Sequence, residues 1–249
     1  MKAPLVSIIT PTRGRDAFLP SIYACVMSQD WPSIEWLICD DSQETSKFFR
    51  RRRDARITYY HNSEAQTVGA KRNELVSRSS GQYIAHFDDD DYYAPNYISH
   101  MISALRERGA DLVKLNGIFI YDKRYNRYFY WNQSQEARTQ YVCWPNHPLA
   151  SRASTDKTRE RAELHRLGYG FSYVYSRRVW ESIKFPDVTY CEDLQFMTQA
   201  AILYPVAFLE DRQGICLHVI HASNLSGCFP QYILPNDVLG SIFPEKRIT

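Results

Sequence analysis

The chain of 249 residues predicts an α/β fold built on a mainly parallel sheet. Three observations carry that prediction. Short apolar runs alternate with stretches of helical spacing over the first ~115 residues, which is the pattern of βαβ units. Turn-forming or acidic residues follow several of those runs. Hydrophobic content of 44% and charged content of 23% are those of a globular chain with a sizeable core.

The elements read in order as follows. Leu5–Ile9 is a buried strand ended by Thr10-Pro11-Thr12-Arg13-Gly14. Phe18 to Met27 has helical spacing, and Asp30-Trp31-Pro32 stops it. Ile34–Cys39 is a second strand, ended by Asp40-Asp41-Ser42, with a short helix expected after it. Ile57–Tyr60 is a third strand, Val68–Ser79 a helix, Tyr83–Phe87 a fourth strand, Pro95–Arg108 a helix and Leu112–Leu115 a fifth strand. Ile118–Tyr121 and Arg127–Trp131 then read as an antiparallel hairpin. Residues 132–165 are polar, and the stretch SRASTDKTRERAELHR is either an amphipathic helix or a mobile lid. Tyr173–Ser176 is a strand, Asp193–Leu203 a helix and Val206–Leu209 a strand. The last ~25 residues form a tail or wrap. With no repeat and no linker, the chain reads as a single domain, divided into residues 1–117, 118–225 and a tail of 226–249.

The bulk numbers exclude some functions. A net charge of +2 does not describe a polycation, so bulk nucleic-acid binding is not implied. Six cysteines show no zinc spacing; they suggest reduced thiols and a cytoplasmic location. No stretch approaches the ~20 apolar residues of a membrane span, so any membrane contact is expected to be peripheral.

The most informative stretch is Asp88-Asp89-Asp90-Asp91 after Tyr83–Phe87. Carboxylates two apart on an extended segment lie ~6–7 Å apart, and each such pair costs about 2–3 kcal/mol at an effective dielectric near 20. A hard divalent cation reverses that sign. Asp88 and Asp90 would point to one side of the strand end and hold a metal whose other ligands are substrate phosphates. The bland reading is a solvated turn, one Asp capping the following helix. If the sheet is parallel, this run shares an edge with Thr10-Pro11-Thr12 and Asp40-Asp41, where a nucleotide cleft is expected.

The stretches SIITPTRGR, WLICDDS, VGAKRNELVSRSSGQYIAHFDDDDYYAP, YCEDLQF and HASNLS resemble, in order and spacing, the family 2 glycosyltransferases of GT-A fold. The resemblance implies an inverting transfer of a sugar from a nucleoside diphosphate sugar, most simply a UDP-sugar, with Mn²⁺ or Mg²⁺ as cofactor. It places Pro11, Thr12 and Arg13 beside the nucleotide, Arg13-Gly14 standing where the family usually has Tyr-Asn. It puts Asp41, with Asp40 beside it, at the base, and Lys71, Arg72 and Asn73 at the nucleotide or its phosphates. Asp88 and Asp89 fall on the ribose side, and Asp90, with Asp88, at the metal. His221 falls at a histidine ligand position, with His218 three residues before it. Asp193, with Glu192 as reserve, falls at the base that takes the acceptor's proton, and Gly168–Ser172 at the floor of the sugar site. Trp131, Trp144 and Tyr169 are candidate sugar platforms.

The expected partners are the donor and a glycan, lipid-linked or small-molecule acceptor, at the inner face of a membrane or in the cytoplasm. Two other classes compete: a sugar nucleotidyltransferase, which would release pyrophosphate, and a non-catalytic metal- or carbohydrate-binding module. The run Arg50–Arg53 reads as a solvated helix face or as a site for anionic lipid or a polyanionic acceptor.

Overall fold

The computed structural model describes residues 3–155 and 166–243. The chain divides into two compact units. The first comprises residues 1–114 and 167–208, the second residues 115–166 and 209–249.

In the first unit, β1 (Val6–Thr12), β2 (Ile34–Asp40), β3 (Ile57–His61) and β4 (Tyr83–His86) pair in parallel in the order β3-β2-β1-β4. The register sets Thr12 beside Asp40 and Asp40 beside His61. The carboxyl ends of the strands therefore share one edge, as the alternation predicts. A two-residue strand β5 (Tyr92–Tyr93) follows the acidic run. The helices that return the chain are α1 (Leu19–Met27), α2 (Val68–Arg78) and α3 (Tyr97–Glu107). In α3 the buried residues Tyr97, Ile98, Met101, Ile102 and Leu105 form one stripe. Thr67 caps α2 by accepting from the Ala70 amide at 3.0 Å.

Strand β6 (Leu112–Asp122) begins in this unit and runs on into the second. It is a single strand where the sequence suggested a fifth strand and a separate hairpin arm. Gly117 lies within it, and an added Cβ there would sit 2.2 Å from the Tyr130 hydroxyl. The glycine marks a close approach within the sheet.

Strand β7 (Arg127–Asn132) completes the expected hairpin in the second unit. The hairpin β8 (Thr139–Val142) and β9 (Ala150–Ala153) occupies part of the region without a sequence pattern. The stretch expected as helix or lid lies mostly outside the described residues.

The chain returns to the first unit with a 3₁₀ turn at Gly170–Ser172, then β10 (Val174–Ser176), α4 (Arg177–Ser182) and α5 (Glu192–Leu203). β10 inserts antiparallel between β4 and β6. The fourth and fifth strands of the sequence are thus not neighbours, and this part of the sheet is mixed. β11 (Val206–Glu210) leads out of the unit. β12 (Cys216–Ile220) pairs parallel to β6, and β13 (Tyr232–Leu234) pairs with β7 before α6 (Asn236–Ile242).

The helix expected after β2 is instead a turn over residues 47–51. The Ser46 hydroxyl accepts from the Phe48 and Phe49 amides at 3.1 and 3.3 Å. These bonds cap a single turn in the manner of a helix N-terminus, and the turn ends at residue 51. Phe49 is buried between Trp36 and Tyr59, with ring centroids 5.4 and 5.1 Å away.

One core cluster of the first unit lies between sheet and helices: Ile9, Leu37, Leu75, Ile84, Tyr173 and Phe196, each at most 2% exposed. It fixes the strand ends from which the site is built.

Candidate active site

The loop after β1 turns sharply at Gly14, whose φ of +65° favours glycine. The Gly14 amide donates to the Ser42 hydroxyl at 2.7 Å. This turn leaves Arg13 exposed and brings Arg15 against the acidic run. Arg15 Nη1 lies 2.8 Å from Asp89 Oδ1 and 2.5 Å from Asp90 Oδ2. The Thr12 hydroxyl donates to the other oxygen of Asp89 at 2.5 Å. Burial and Asp90 push the Asp89 carboxyl up to about 6, against the pull of Arg15 and Thr12.

The strand ends at His86, and residues 89 and 90 form a turn. The alternation of an extended strand, expected to aim Asp88 and Asp90 to one side, therefore does not hold. Asp90 meets Arg15, whereas Asp88 Oδ1 lies 3.4 Å from Arg72 Nη2. The Tyr93 hydroxyl pins this turn: it accepts from the Asp88 amide at 3.0 Å and donates to the Phe171 carbonyl at 2.9 Å. Asp88 keeps 30% of its side chain in solvent. Burial of its carboxyl, with Arg72 opposing and the three neighbouring acids adding, still pushes it up to about 7.

Arg72 projects from α2 into the centre of this arrangement and is 4% exposed. Its Nη1 meets His86 Nδ1 at 2.8 Å, and its Nε lies 3.6 Å from Glu192 Oε1. Burial opposes its charge, but Glu192, Asp88 and Asp193 hold its pKa above the ordinary value. Conversely, burial first and then Arg72 push His86 well below its ordinary value, so its ring is neutral. Burial raises Glu192, with Arg72 opposing.

Asp193 is fixed at both oxygens. Oδ2 accepts from the Gly170 amide at 2.7 Å and Oδ1 from the Leu194 amide at 2.7 Å. Gly170 leaves room for this contact: a Cβ there would fall 2.4 Å from Arg72 Nη1 and 2.9 Å from Asp193 Cβ. Two residues with positive φ flank the contact, Tyr169 at 66° and Cys191 at 62°. Strain of this kind, about 1–3 kcal/mol per residue, persists only where the surroundings impose it.

Other sequence-predicted residues take different places. Lys71 is buried and its Nζ donates to Asp41 Oδ1 at 2.6 Å and to the Thr12 carbonyl at 3.1 Å. Asp41, 1% exposed, also accepts from the Gln66 amide at 2.9 Å. Asp40 accepts from the Tyr59 hydroxyl at 2.6 Å and the Ser42 amide at 2.9 Å.

A cavity of about 420 Å³ opens beside these groups. Its lining includes Thr12, Arg15, Asp40, Ser42 and Lys47. Asp40 and not Asp41, and Arg15 and not Arg13, thus face it. Asn73, expected near the nucleotide, brackets the chain at Phe185 instead. Its amide donates to the Phe185 carbonyl at 2.8 Å and accepts from the Phe185 amide at 3.0 Å and the Trp180 indole at 2.9 Å. Pro11 lies within β1.

His218 and His221 belong to the second unit. His221 Nδ1 lies 2.9 Å from the Ser223 hydroxyl, and its amide donates to Asn224 Oδ1 at 2.5 Å, closing a turn. Of the aromatic candidates, Trp131 is 2% exposed and packs beside Phe229, a core contact.

The residues that sequence reading missed are Arg15, His86 and Tyr93. For Arg15 a signal was present: Gly14 between two arginines turns the second back toward the strand end.

Among the described residues no three His, Cys, Asp or Glu side chains form a ready-made metal cluster. Asp88 and Asp90 nonetheless offer hard oxygen donors at a strand end, the donor type that Mg²⁺ and Mn²⁺ take together with phosphate oxygens.

A parallel sheet edge carrying this acidic run, opposite a helix that opens on Glu192-Asp193, is the layout of a GT-A glycosyltransferase. The chain belongs to glycosyl transferase family 2, whose sequence model matches residues 7–161. Of the readings the sequence left open, the family model matches the glycosyltransferase one.

It is similar to the putative colanic acid biosynthesis glycosyl transferase WcaA of Escherichia coli strain K12, 34% identical over 39% of this chain and 36% of that protein. It is similar to the glycosyltransferase EpsJ of Bacillus subtilis, 25% identical over 79% of this chain and 56% of that one. It is also similar to the Escherichia coli UDP-Glc:alpha-D-GlcNAc-diphosphoundecaprenol beta-1,3-glucosyltransferase WfgD, 30% identical over 41% of each chain. The matches thus span from about a third to just over half of these relatives' length.

The fold is shared with TarS 1-349 of S. aureus in complex with UDP-GlcNAc, at a TM-score of 0.62 and 16% identity, covering 86% of this chain and 58% of that one. It is shared too with the mannosyltransferase PcManGT of Pyrobaculum calidifontis in complex with GDP-Man and Mn2+, at a TM-score of 0.60 and 14% identity, covering 86% and 56%.

Proposed function

We propose that this glycosyltransferase moves a sugar, with inversion, from a UDP-sugar to a hydroxyl of a lipid-linked glycan at the face of a membrane. The observation that carries the reading is the placement of Arg72. One guanidinium lies 3.4 Å from Asp88 of the acidic run and 3.6 Å from Glu192, the neighbour of Asp193. A donor held at the acidic run would then lie next to a base.

The cavity walled by Thr12, Arg15 and Asp40 has the size of ordinary small-ligand sites and takes the nucleoside. Asp90, with Asp88, would hold Mn²⁺ or Mg²⁺ at the diphosphate. When bound, the cation neutralises charge on the departing diphosphate. Arg15, already charged against Asp89 and Asp90, adds a second cation on that side. Asp193 takes the proton of the acceptor hydroxyl as its oxygen attacks the anomeric carbon from the face opposite the diphosphate. The Gly170 and Leu194 amides hold the carboxylate in place for that transfer. The acceptor of the similar protein WfgD, a diphosphoundecaprenol-linked sugar, supports a lipid-linked acceptor here.

Calorimetric titration of UDP with and without Mn²⁺ tests the donor side. Metal-linked binding that Asp90→Ala weakens is expected; UDP binding indifferent to both metal and Asp90 would contradict it.

A further inference from the structure

The turn after the cavity wall carries an unusual density of charge. Six of the ten residues 47–56 are Lys or Arg and only Asp54 is acidic. The whole chain has a net charge of only +2, so the remainder is net acidic. The sequence suggested a solvated helix face. The structure shows no helix here: residues 47–51 are a turn, and Lys47 and Arg50–Arg53 are all exposed.

One of these cations is fixed by rings. The Arg52 guanidinium lies 3.8 Å from the centroid of Phe48 and 4.6 Å from that of Tyr23. Arg56 is paired with Asp54 at 2.8 Å. Arg50, Arg51 and Arg53 have no acidic partner among the described residues. Lys47 belongs both to this turn and to the wall of the cavity, so the cationic surface continues directly from the donor pocket.

We propose that the turn of Lys47, Arg50, Arg51, Arg52 and Arg53 is a docking surface for an anionic lipid bilayer. The inference rests on the lipid-linked acceptor proposed above and names the surface that meets the membrane. A short patch of exposed cations suits a negatively charged leaflet, to which surface Lys and Arg are attracted. A long soluble polyanion fits less well, because outside this turn the chain as a whole is net acidic. Docking here would set the mouth of the cavity close to the bilayer, where a lipid-linked acceptor resides.

The test is co-sedimentation of the protein with vesicles of phosphatidylcholine alone and of phosphatidylcholine with phosphatidylglycerol. The wild type is expected to pellet with the anionic vesicles only, and to be released by salt as screening shortens the reach of its charges. The triple variant Arg50→Glu, Arg51→Glu, Arg53→Glu should bind at least about tenfold more weakly, with an unchanged thermal transition. The Lys triple at the same positions should retain binding. Equal pelleting with neutral vesicles, full binding by the Glu triple, or capture by heparin without vesicle binding would each overturn the proposal. The assay contains neither donor nor metal, so it stands apart from any failure of the UDP titration.

Discussion

Asp193 and Gly170 form a pair whose parts can be changed separately. Asp193→Asn keeps the shape but removes the proton acceptor. Turnover should fall by roughly 10²-fold or more while UDP binding is retained. Gly170→Ala would drive a methyl to within 2.4 Å of Arg72 Nη1. The shift needed to relieve that overlap should cost about 1–3 kcal/mol in a thermal melt, together with a loss of turnover. A Gly170→Ala protein as stable and active as the wild type would mean that Arg72 and Asp193 need not approach so closely. Lys71 makes a different case, because its ion pair with Asp41 is buried on both sides. Lys71→Ala should destabilise by about 3–5 kcal/mol, since it strands a buried carboxylate. Combining it with Asp41→Asn should recover part of that loss. No recovery would show that Lys71 acts through something other than Asp41.

At the scale of elements, β10 depends on Asp111 at the foot of β6. Asp111 accepts from Arg178 Nε at 2.5 Å and from the Ser176 hydroxyl at 2.9 Å, tying β10 and α4 to that strand. Burial pushes the Asp111 carboxyl up, but the bonds from Arg178 and Ser176 outweigh it and hold it below its ordinary value. A carboxyl depressed in the folded state binds fewer protons there than when unfolded. Its contribution is therefore complete above the unfolded value near 4 and declines as the pH falls below it. Asp111→Asn should lower stability at neutral pH and flatten the acid limb of a melting-temperature profile. An unchanged acid limb would assign that slope to other carboxylates.

The β10 insertion also marks the limit of sequence reading. The alternating runs revealed β1 to β4 and the helices between them, because local periodicity reports burial. That an antiparallel strand from residues 174–176 would separate β4 from β6 is a long-range pairing, which no local pattern carries. The turn at 47–51 was misread for a related reason: FFRRRR has helix-forming residues, but the packing of Phe49 between Trp36 and Tyr59 is a tertiary contact that no local pattern carries.

For the whole molecule, the site was legible as a set of strand-end acids, a helix-borne arginine and an acidic pair opening a later helix. Their division of labour was not legible. The sequence could not show that Arg15 rather than Arg13 would turn inward, or that Asn73 would brace Phe185. It could not show that Asp88 and Asp90 would face different cations. Each depends on a turn or a tertiary contact.

The most direct measurement of the proposed transfer is product identity. The protein, with Mn²⁺ and a lipid-linked glycan, is incubated with a panel of UDP-sugars and the released nucleotide is identified. UDP is expected, at a rate that collapses in Asp193→Asn while that variant still binds UDP. Undiminished turnover by Asp193→Asn, or no nucleoside diphosphate from any donor while UDP binds, would contradict it.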